Sequence, residues 1–192
     1  MAVLFVRVPE ERIGALIGPG GVTRRTIEEQ TRTTLTIEGE EGVRIACPDD
    51  GDPIGLLKGR EIVTAIGRGF APARALRLLK DDTYLEVINI KQATGKRTKS
   101  AMWRIRSRVI GIHGRARQRI EELSGCAMSV QGSTVALIGD EKQLERGGRA
   151  VRLLLRGSEH STIFRLLVHE RRDAALAEAM GTAEPSEPSE EP

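Results

Sequence analysis

Two stretches of this chain have residue types spaced to hold phosphates. Leu16-Ile17-Gly18-Pro19-Gly20-Gly21-Val22-Thr23-Arg24-Arg25 and Val109-Ile110-Gly111-Ile112-His113-Gly114-Arg115-Ala116-Arg117 each set two glycines around two other residues. A G-x-x-G loop between helices lets the backbone approach a sugar-phosphate chain with no Cβ in the way. The helix that follows points its unpaired N–H groups, the positive end of its dipole, at the phosphates. The chemistry is grip, not turnover. Neither loop has the Gly-Lys-Ser/Thr ending that supplies a γ-phosphate lysine and a Mg²⁺ ligand, and dinucleotide-type glycine spacing is absent. No Ser-His-Asp or paired-carboxylate arrangement emerges, so no catalytic residue is nominated and an enzyme is not expected. Cys47 and Cys126 are isolated, without C-x-x-C spacing or a His cluster, so neither a metal nor a cofactor is expected. They read as buried thiols in a reducing compartment.

The two loops belong to a repeat. At one fixed offset Ile17/Ile110, Gly18/Gly111, Gly21/Gly114, Arg24/Arg117, Ile27/Ile120, Glu28/Glu121 and Glu29/Glu122 are identical. The register runs on without a gap, with Leu35 and Ile37 falling on Met128 and Val130. A repeat this long means two copies of one small module. Each copy can bury only a modest core, so the two are expected to pack on each other.

Charge separates the copies. The net charge is only +3, but no Asp or Glu occurs from Val87 to Ile120, where Lys91, Lys96, Arg97, Lys99, Arg104, Arg106, Arg108, Arg115, Arg117 and Arg119 gather. Such a block is a footprint for a polyanion, whereas a merely solvated helix face interleaves both signs. Arginine also grips phosphate bidentately and stacks on bases. Aromatics are few (Phe5, Phe70, Phe164, Tyr84 and Trp103), which counts against an RRM or OB-fold platform. No apolar run reaches membrane-spanning length and no signal-peptide core begins the chain. A soluble, cytoplasmic nucleic-acid binder is therefore expected, with no membrane partner.

The elements that position the loops follow from hydrophobic period and turn residues. Ala2 to Val8 reads as a strand and Glu10 to Ile17 as a helix. After the first loop come a helix from Val22 to Thr31, strands at Thr33–Ile37 and Val43–Cys47 around Gly39-Glu40-Glu41-Gly42, and a helix after Pro53 with Ile54, Leu57, Ile62, Val63 and Ile66. Gly67 to Pro72 is a break, followed by a connector helix from Ala73 to Lys80. The second copy has a strand from Tyr84 to Ile90, a long basic helix from Ala93 to Ile110, and a post-loop helix to Ser124. Strands at Ala127–Gln131 and Thr134–Ile138 flank Gly132-Ser133, and a closing helix spans Asp140 to Arg156, with Gly147-Gly148 tolerable only where backbones approach closely. Ser158 to Met180 reads as an extra helix, and Thr182 to Pro192 as a disordered acidic tail. The order is β-α-α-β-β-α twice. The expected units are 1–68, a connector 69–83, 84–157, a C-terminal helix 158–181 and a tail 182–192.

A β-α-α-β-β-α unit with Ile-Gly-x-x-Gly between its first helices resembles a type I KH domain, so the expected fold class is α+β with tandem KH domains packed together. The resemblance is closer still. Ala65-Ile66-Gly67-Arg68-Gly69-Phe70-Ala71-Pro72, Ile120-Glu121-Glu122-Leu123-Ser124-Gly125 and Val130-Gln131-Gly132-Ser133-Thr134-Val135 look like the archaeal Pno/Dim-type, Krr-related ribosome-assembly proteins. That family implies a binder of small-subunit rRNA near its 3′ end during maturation. Its implied partners are single-stranded RNA, a PIN-domain endonuclease and the α subunit of the archaeal second initiation factor. The residues expected to meet RNA are Gly18, Pro19, Gly20, Gly21, Arg24, Arg25, Arg104, Arg106, Arg108, Gly111, Ile112, His113, Gly114, Arg115 and Arg117. Eukaryotic members typically lose the first glycine loop, which is intact here, while Ile112-His113 replaces the usual charged pair in the second. The alternative is a KH-fold scaffold that docks a protein through Phe164 and Leu167.

Salt separates the two readings. A KH groove clamps about four nucleotides by their backbone. At about −0.7 per phosphate, the log–log salt slope for single-stranded RNA is expected near −3, so affinity falls about fifty-fold between 50 and 200 mM salt. A slope near zero in a fluorescence-anisotropy titration would exclude the backbone clamp.

Overall fold

The structure, a computed structural model, describes residues 2–39, 42–48 and 51–181. The expected acidic tail, and part of the turn between the first two hairpin strands, lie outside the described residues.

The first copy is β1 (Ala2–Val6), α1 (Glu10–Ile17), α2 (Val22–Thr31), β2 (Thr34–Ile37), β3 (Val43–Cys47) and α3 (Pro53–Gly67). Its sheet has the order β1-β3-β2, antiparallel throughout, with Leu4 and Leu35 both paired to Ile45. Alternation sends Leu35, Val43 and Ile45 inward against Leu16, Ile27, Ile62 and Ile66. Of the apolar residues that mark α3 in the sequence, Ile54 and Leu57 are exposed. Leu56 and the backbone at Gly55 and Gly59 hold that end of the helix close to Thr31 instead.

The connector is more tightly wound than the expected helix: α4 (Pro72–Ala75) gives way to a 3₁₀ turn at Leu76–Leu79. The second copy repeats the order as β4 (Tyr84–Asn89), α5 (Ile90–Thr94), α6 (Lys99–Ile110), α7 (Arg115–Ser124), β5 (Ala127–Gln131), β6 (Thr134–Gly139) and α8 (Glu141–Arg156), with sheet order β4-β6-β5. The expected helix from Ala93 to Ile110 is in fact two. Asn89 caps α5, Gly95 ends it in the left-handed region at φ 68°, and the Thr98 hydroxyl caps α6 by accepting from Ala101 N. Gly147 in α8 is a close approach as anticipated, since a Cβ there would lie 2.5 Å from Cys126 Sγ. Both cysteines are free and buried, and burial pushes the Cys126 thiol above its usual range.

α9 (His160–Gly181) is added to the repeat. Ile163 and Leu167 are fully buried against α7 and α8, so Leu167 seals the second core and is not available for docking. His160 packs tilted against Phe164 and its Nε2 lies 2.9 Å from the Arg108 carbonyl oxygen.

The copies pack head to tail. Leu85, Ala127, Ala136 and Ile138, on the second sheet's face away from its own helices, belong to the first copy's cluster with Phe70, Ala75 and Leu78 of the connector. Arg12 fastens the connector by donating to the Ile66 and Phe70 carbonyls at 2.9 and 2.6 Å.

Glu28 and Glu121, a matched pair in the repeat, share one task. The first accepts from Leu35 N at 2.7 Å and the second from Met128 N at 2.6 Å. Each carboxylate ties the helix after a glycine loop to the strand that follows. Glu121 also pairs with Arg74 of α4. A charge-assisted bond of this kind contributes about 1.5–3 kcal/mol. Glu28→Ala is therefore expected to lose about 1.5 kcal/mol in urea unfolding and Glu121→Ala about 3 kcal/mol. Equal losses would mean that the Arg74 pair adds no more at Glu121 than the Arg24 pair adds at Glu28.

Candidate nucleic-acid interface

The two glycine loops have the same backbone. Gly18 and Gly111 sit at φ 72° and 74°, Gly20 and His113 at 57° and 51°, and Gly21 and Gly114 at 77° and 76°. A short 3₁₀ turn, Pro19–Gly21 or Ile112–Gly114, fills each loop. The glycines differ in purpose. A Cβ on Gly111 would lie 2.6 Å from Ala116 Cβ and 2.8 Å from its nitrogen, and one on Gly18 would strike the Thr23 side chain. The first glycine thus lets the loop pack on the next helix. The last faces open space in Gly114 and nearly so in Gly21, leaving backbone free to be approached. His113 holds a left-handed conformation that β-branched residues avoid and His tolerates.

The helices after the loops are bare at their N-termini. α3, α5, α6 and α8 each begin with a side-chain cap from Asp52, Asn89, Thr98 and Asp140. α2 and α7 begin at Gly21 and Gly114 with no side-chain cap. The Val22 and Arg115 N–H groups donate back to the Pro19 and Ile112 carbonyls through the 3₁₀ turns, and with no side chain across either start the positive end of each dipole faces an anion uncovered.

The expected arginines divide sharply. Arg25 turns back on its own loop, its Nη2 donating to Gly20 O at 2.6 Å, and Arg24 pairs with Glu28 at 3.1 Å. Arg108 is spent on the α8–α9 junction, where Nη2 donates to the Gly157 and Ser158 carbonyls at 2.8 and 2.5 Å. Arg117 lies 3.9 Å from Glu121. Arg106 reaches the β5–β6 turn, 3.4 Å from Gly132 O. Arg104 is exposed, one turn before Arg108 on the same side of α6. Arg115 stands on the α9 flank of the loop with Ile112, which is 78% exposed.

Two clefts flank the second loop. On the strand side, about 370 Å³ is lined by Trp103, Arg106, Ile110, Val130 and Gln131, with Glu11 of the first copy forming a wall and accepting from Gln131 Nε2 at 2.9 Å. On the α9 side, about 610 Å³ is lined by Arg108, Ile112, Arg115, Arg119, His160 and Phe164. Trp103 was not among the expected RNA contacts, yet it is 64% exposed beside the cleft that Arg106 and Glu11 line. Its signal was its spacing: Trp103, Arg106 and Ile110 fall on one face of a helix running into the loop. Where the second copy has Trp103, Arg106 and Ser107, the repeat register gives the first copy Glu10, Ile13 and Gly14. The first loop lacks the aromatic and the cations. No group of three or more His, Cys, Asp or Glu among the described residues is arranged to hold a metal ion. No described helix is long and apolar enough to cross a membrane.

The glycine roles predict different costs. Gly111→Ala combines left-handed strain with a backbone clash and is expected to lose about 3 kcal/mol or more. Gly114→Ala carries only the strain, about 1–2 kcal/mol, with the fold kept. Thermal unfolding of the two variants measures the difference, and equal losses would remove the packing role of Gly111.

Known proteins share this arrangement. Residues 84–172 match the family described as eukaryotic type KH-domain (KH-domain type I), and residues 3–81 match the KH domain family. A KH domain-containing protein of Methanocaldococcus jannaschii is 38% identical over 172 residues, covering 89% of this chain and 75% of that protein. The crystal structure of Dim2p from Pyrococcus horikoshii is 44% identical with a TM-score of 0.81, over 88% of this chain and 99% of that one. The aDim2p chain solved in an a/eIF2alpha–aDim2p–rRNA complex from the same organism is also 44% identical, with a TM-score of 0.82 over 90% and 95% of the chains. With both KH units, their connector and the C-terminal helix all shared, this chain belongs to the archaeal Dim2/Pno-type family of tandem KH-domain RNA-binding proteins.

Proposed function

We propose that the chain grips single-stranded RNA by its backbone through the two glycine loops, and that the RNA is small-subunit rRNA near its 3′ end during ribosome maturation. The observation that carries this is the pairing of uncapped helix starts with loops whose last glycine faces open space. Such a site offers N–H donors to phosphate with no Cβ between them. The identity of the RNA is supported by the Pyrococcus horikoshii relative, which was solved with rRNA.

The second loop is the stronger site in this reading. Arg106 and Trp103 border its strand-side cleft across from Glu11, so a phosphate can meet one guanidinium while a base stacks on the indole. The first loop meets RNA with Arg25 already bonded to its own carbonyls, and adds reach or register. The α subunit of the archaeal second initiation factor is a partner in this proposal, since the same relative was solved with it. A PIN-domain endonuclease, implied by the family resemblance, would act on the RNA so held, and this chain would position the RNA for it without cutting.

The ranking is tested by charge. Ile112→Asp with His113→Asp puts two carboxylates beside the phosphates and keeps both glycines. Pro19→Asp with Gly20→Asp does the same at the first loop. RNA affinity at fixed salt is expected to fall at least tenfold more for the second-loop variant, with circular dichroism showing both folded. A greater loss from the first-loop variant would reverse the ranking. Unchanged affinity in both would remove the loops from RNA binding.

A further inference from the structure

α9 is longer than its covering. Its inner face is closed by Ile163 and Leu167, but Val168, Leu176 and Met180 are exposed on its outer side, spaced in multiples of four. With Phe164 they form an apolar stripe, crossed once by Arg172 between Val168 and Leu176, that winds along about 24 Å of helix at 1.5 Å per residue. A shallow cleft of about 480 Å³ follows this stripe from Phe164 to Leu176, and Phe164 is also a wall of the cleft beside the second glycine loop. Phe164 thus stands between the two clefts, and the second of them holds the exposed side chain of Ile112.

The rim is cationic. Arg165 borders the α9 portion, Arg172 stands in line between Val168 and Leu176, and Arg115 and Arg119 border the loop portion. Among the described residues lining the two clefts, Asp173 is the one acid, and it faces His169 at 2.7 Å. An apolar groove with basic edges is complementary to an apolar ridge with acidic edges. We propose that this surface docks a protein partner through an amphipathic helix of that partner, with apolar residues at i, i+4 and i+7 and Asp or Glu on both flanks.

The other occupants fit less well. RNA would find three aliphatic side chains and one ring along the stripe, whereas the exposed indole lies on the opposite flank of α6, in the strand-side cleft. A second copy of this chain docked α9 to α9 would bring Arg165 and Arg172 against the same arginines. The surface thus lets one chain hold RNA on the strand side of its second loop and a protein on the α9 side.

The test uses the full chain and two labelled synthetic helices of about 18 residues. One has Leu at the ridge positions and Glu on the flanks, and the other has Lys in place of Glu. The Leu–Glu peptide is expected to bind and the Leu–Lys peptide not to bind. Val168→Glu with Leu176→Glu, on an exposed face, should weaken the Leu–Glu peptide at least tenfold while leaving melting temperature and RNA affinity unchanged. Arg165→Glu with Arg172→Glu should reverse the preference between the peptides. Three results would each overturn the proposal: no binding of the Leu–Glu peptide to the native chain, equal binding to the Val168/Leu176 variant, or loss of RNA affinity in that variant.

Discussion

The second sheet has two apolar faces and only one set of helices of its own. Leu85, Ala127, Ala136 and Ile138 would face water in an isolated second module, and the first module with its connector covers them. Most of the architecture depends on that burial. It fixes the connector in place through Phe70, Ala75 and Leu78, and it brings Glu11 to Gln131 in the strand-side cleft of the second loop. It also explains why a chain of two small modules behaves as one body: removing either would expose a sheet face or strip the cluster of its last members. Arg12 on the Ile66 and Phe70 carbonyls and Arg74 on Glu121 then set the angle between modules with directed bonds.

The repeat made the loops, the element order and the buried positions legible, because identical residues at a fixed offset imply identical local structure. The split of the expected helix from Ala93 to Ile110 was less legible. Gly95 hinted at it, but the caps at Asn89 and Thr98 compete with helix continuation only once Ile90 is pinned in the second core. The arginines were hardest to read. Arg25, Arg104, Arg106 and Arg108 look alike in sequence, yet Arg25 turns back on its own loop, Arg106 reaches the carbonyl of Gly132, Arg108 those of the α8–α9 junction, and Arg104 lies exposed on another side of α6 from Arg106. A cation's role depends on which carbonyl lies within reach, and that is a tertiary fact. Trp103 was visible as the lone tryptophan, but its exposure was not.

The matched carboxylates Glu28 and Glu121 show a division of work within the repeat. Both were conspicuous as identities between the copies. Beside its arginine partner, each accepts the N–H of an edge-strand residue, locking the helix after the loop to the sheet. The bare N-termini of α2 and α7 can stay uncapped because their helices are held from the other end. Rigidity behind the loop permits openness in front of it. His113 in the left-handed region carries the same trade one step further, since its strained backbone is kept by the packing of Gly111 on Ala116.

Because the cluster around Leu16, Ile66 and Phe70 is completed by residues of β5 and β6, its closure has an order in time. During synthesis the first module emerges with the connector's apolar side bare, and nothing local can cover it until the second hairpin has left the ribosome. The connector is then a waiting surface, an early landing place for chaperones and a site where an interrupted chain would aggregate. A nascent chain stalled between Leu79 and Ala127 would thus carry a formed first loop on an unfinished body, and completion of the hairpin would mark the moment at which the protein becomes competent.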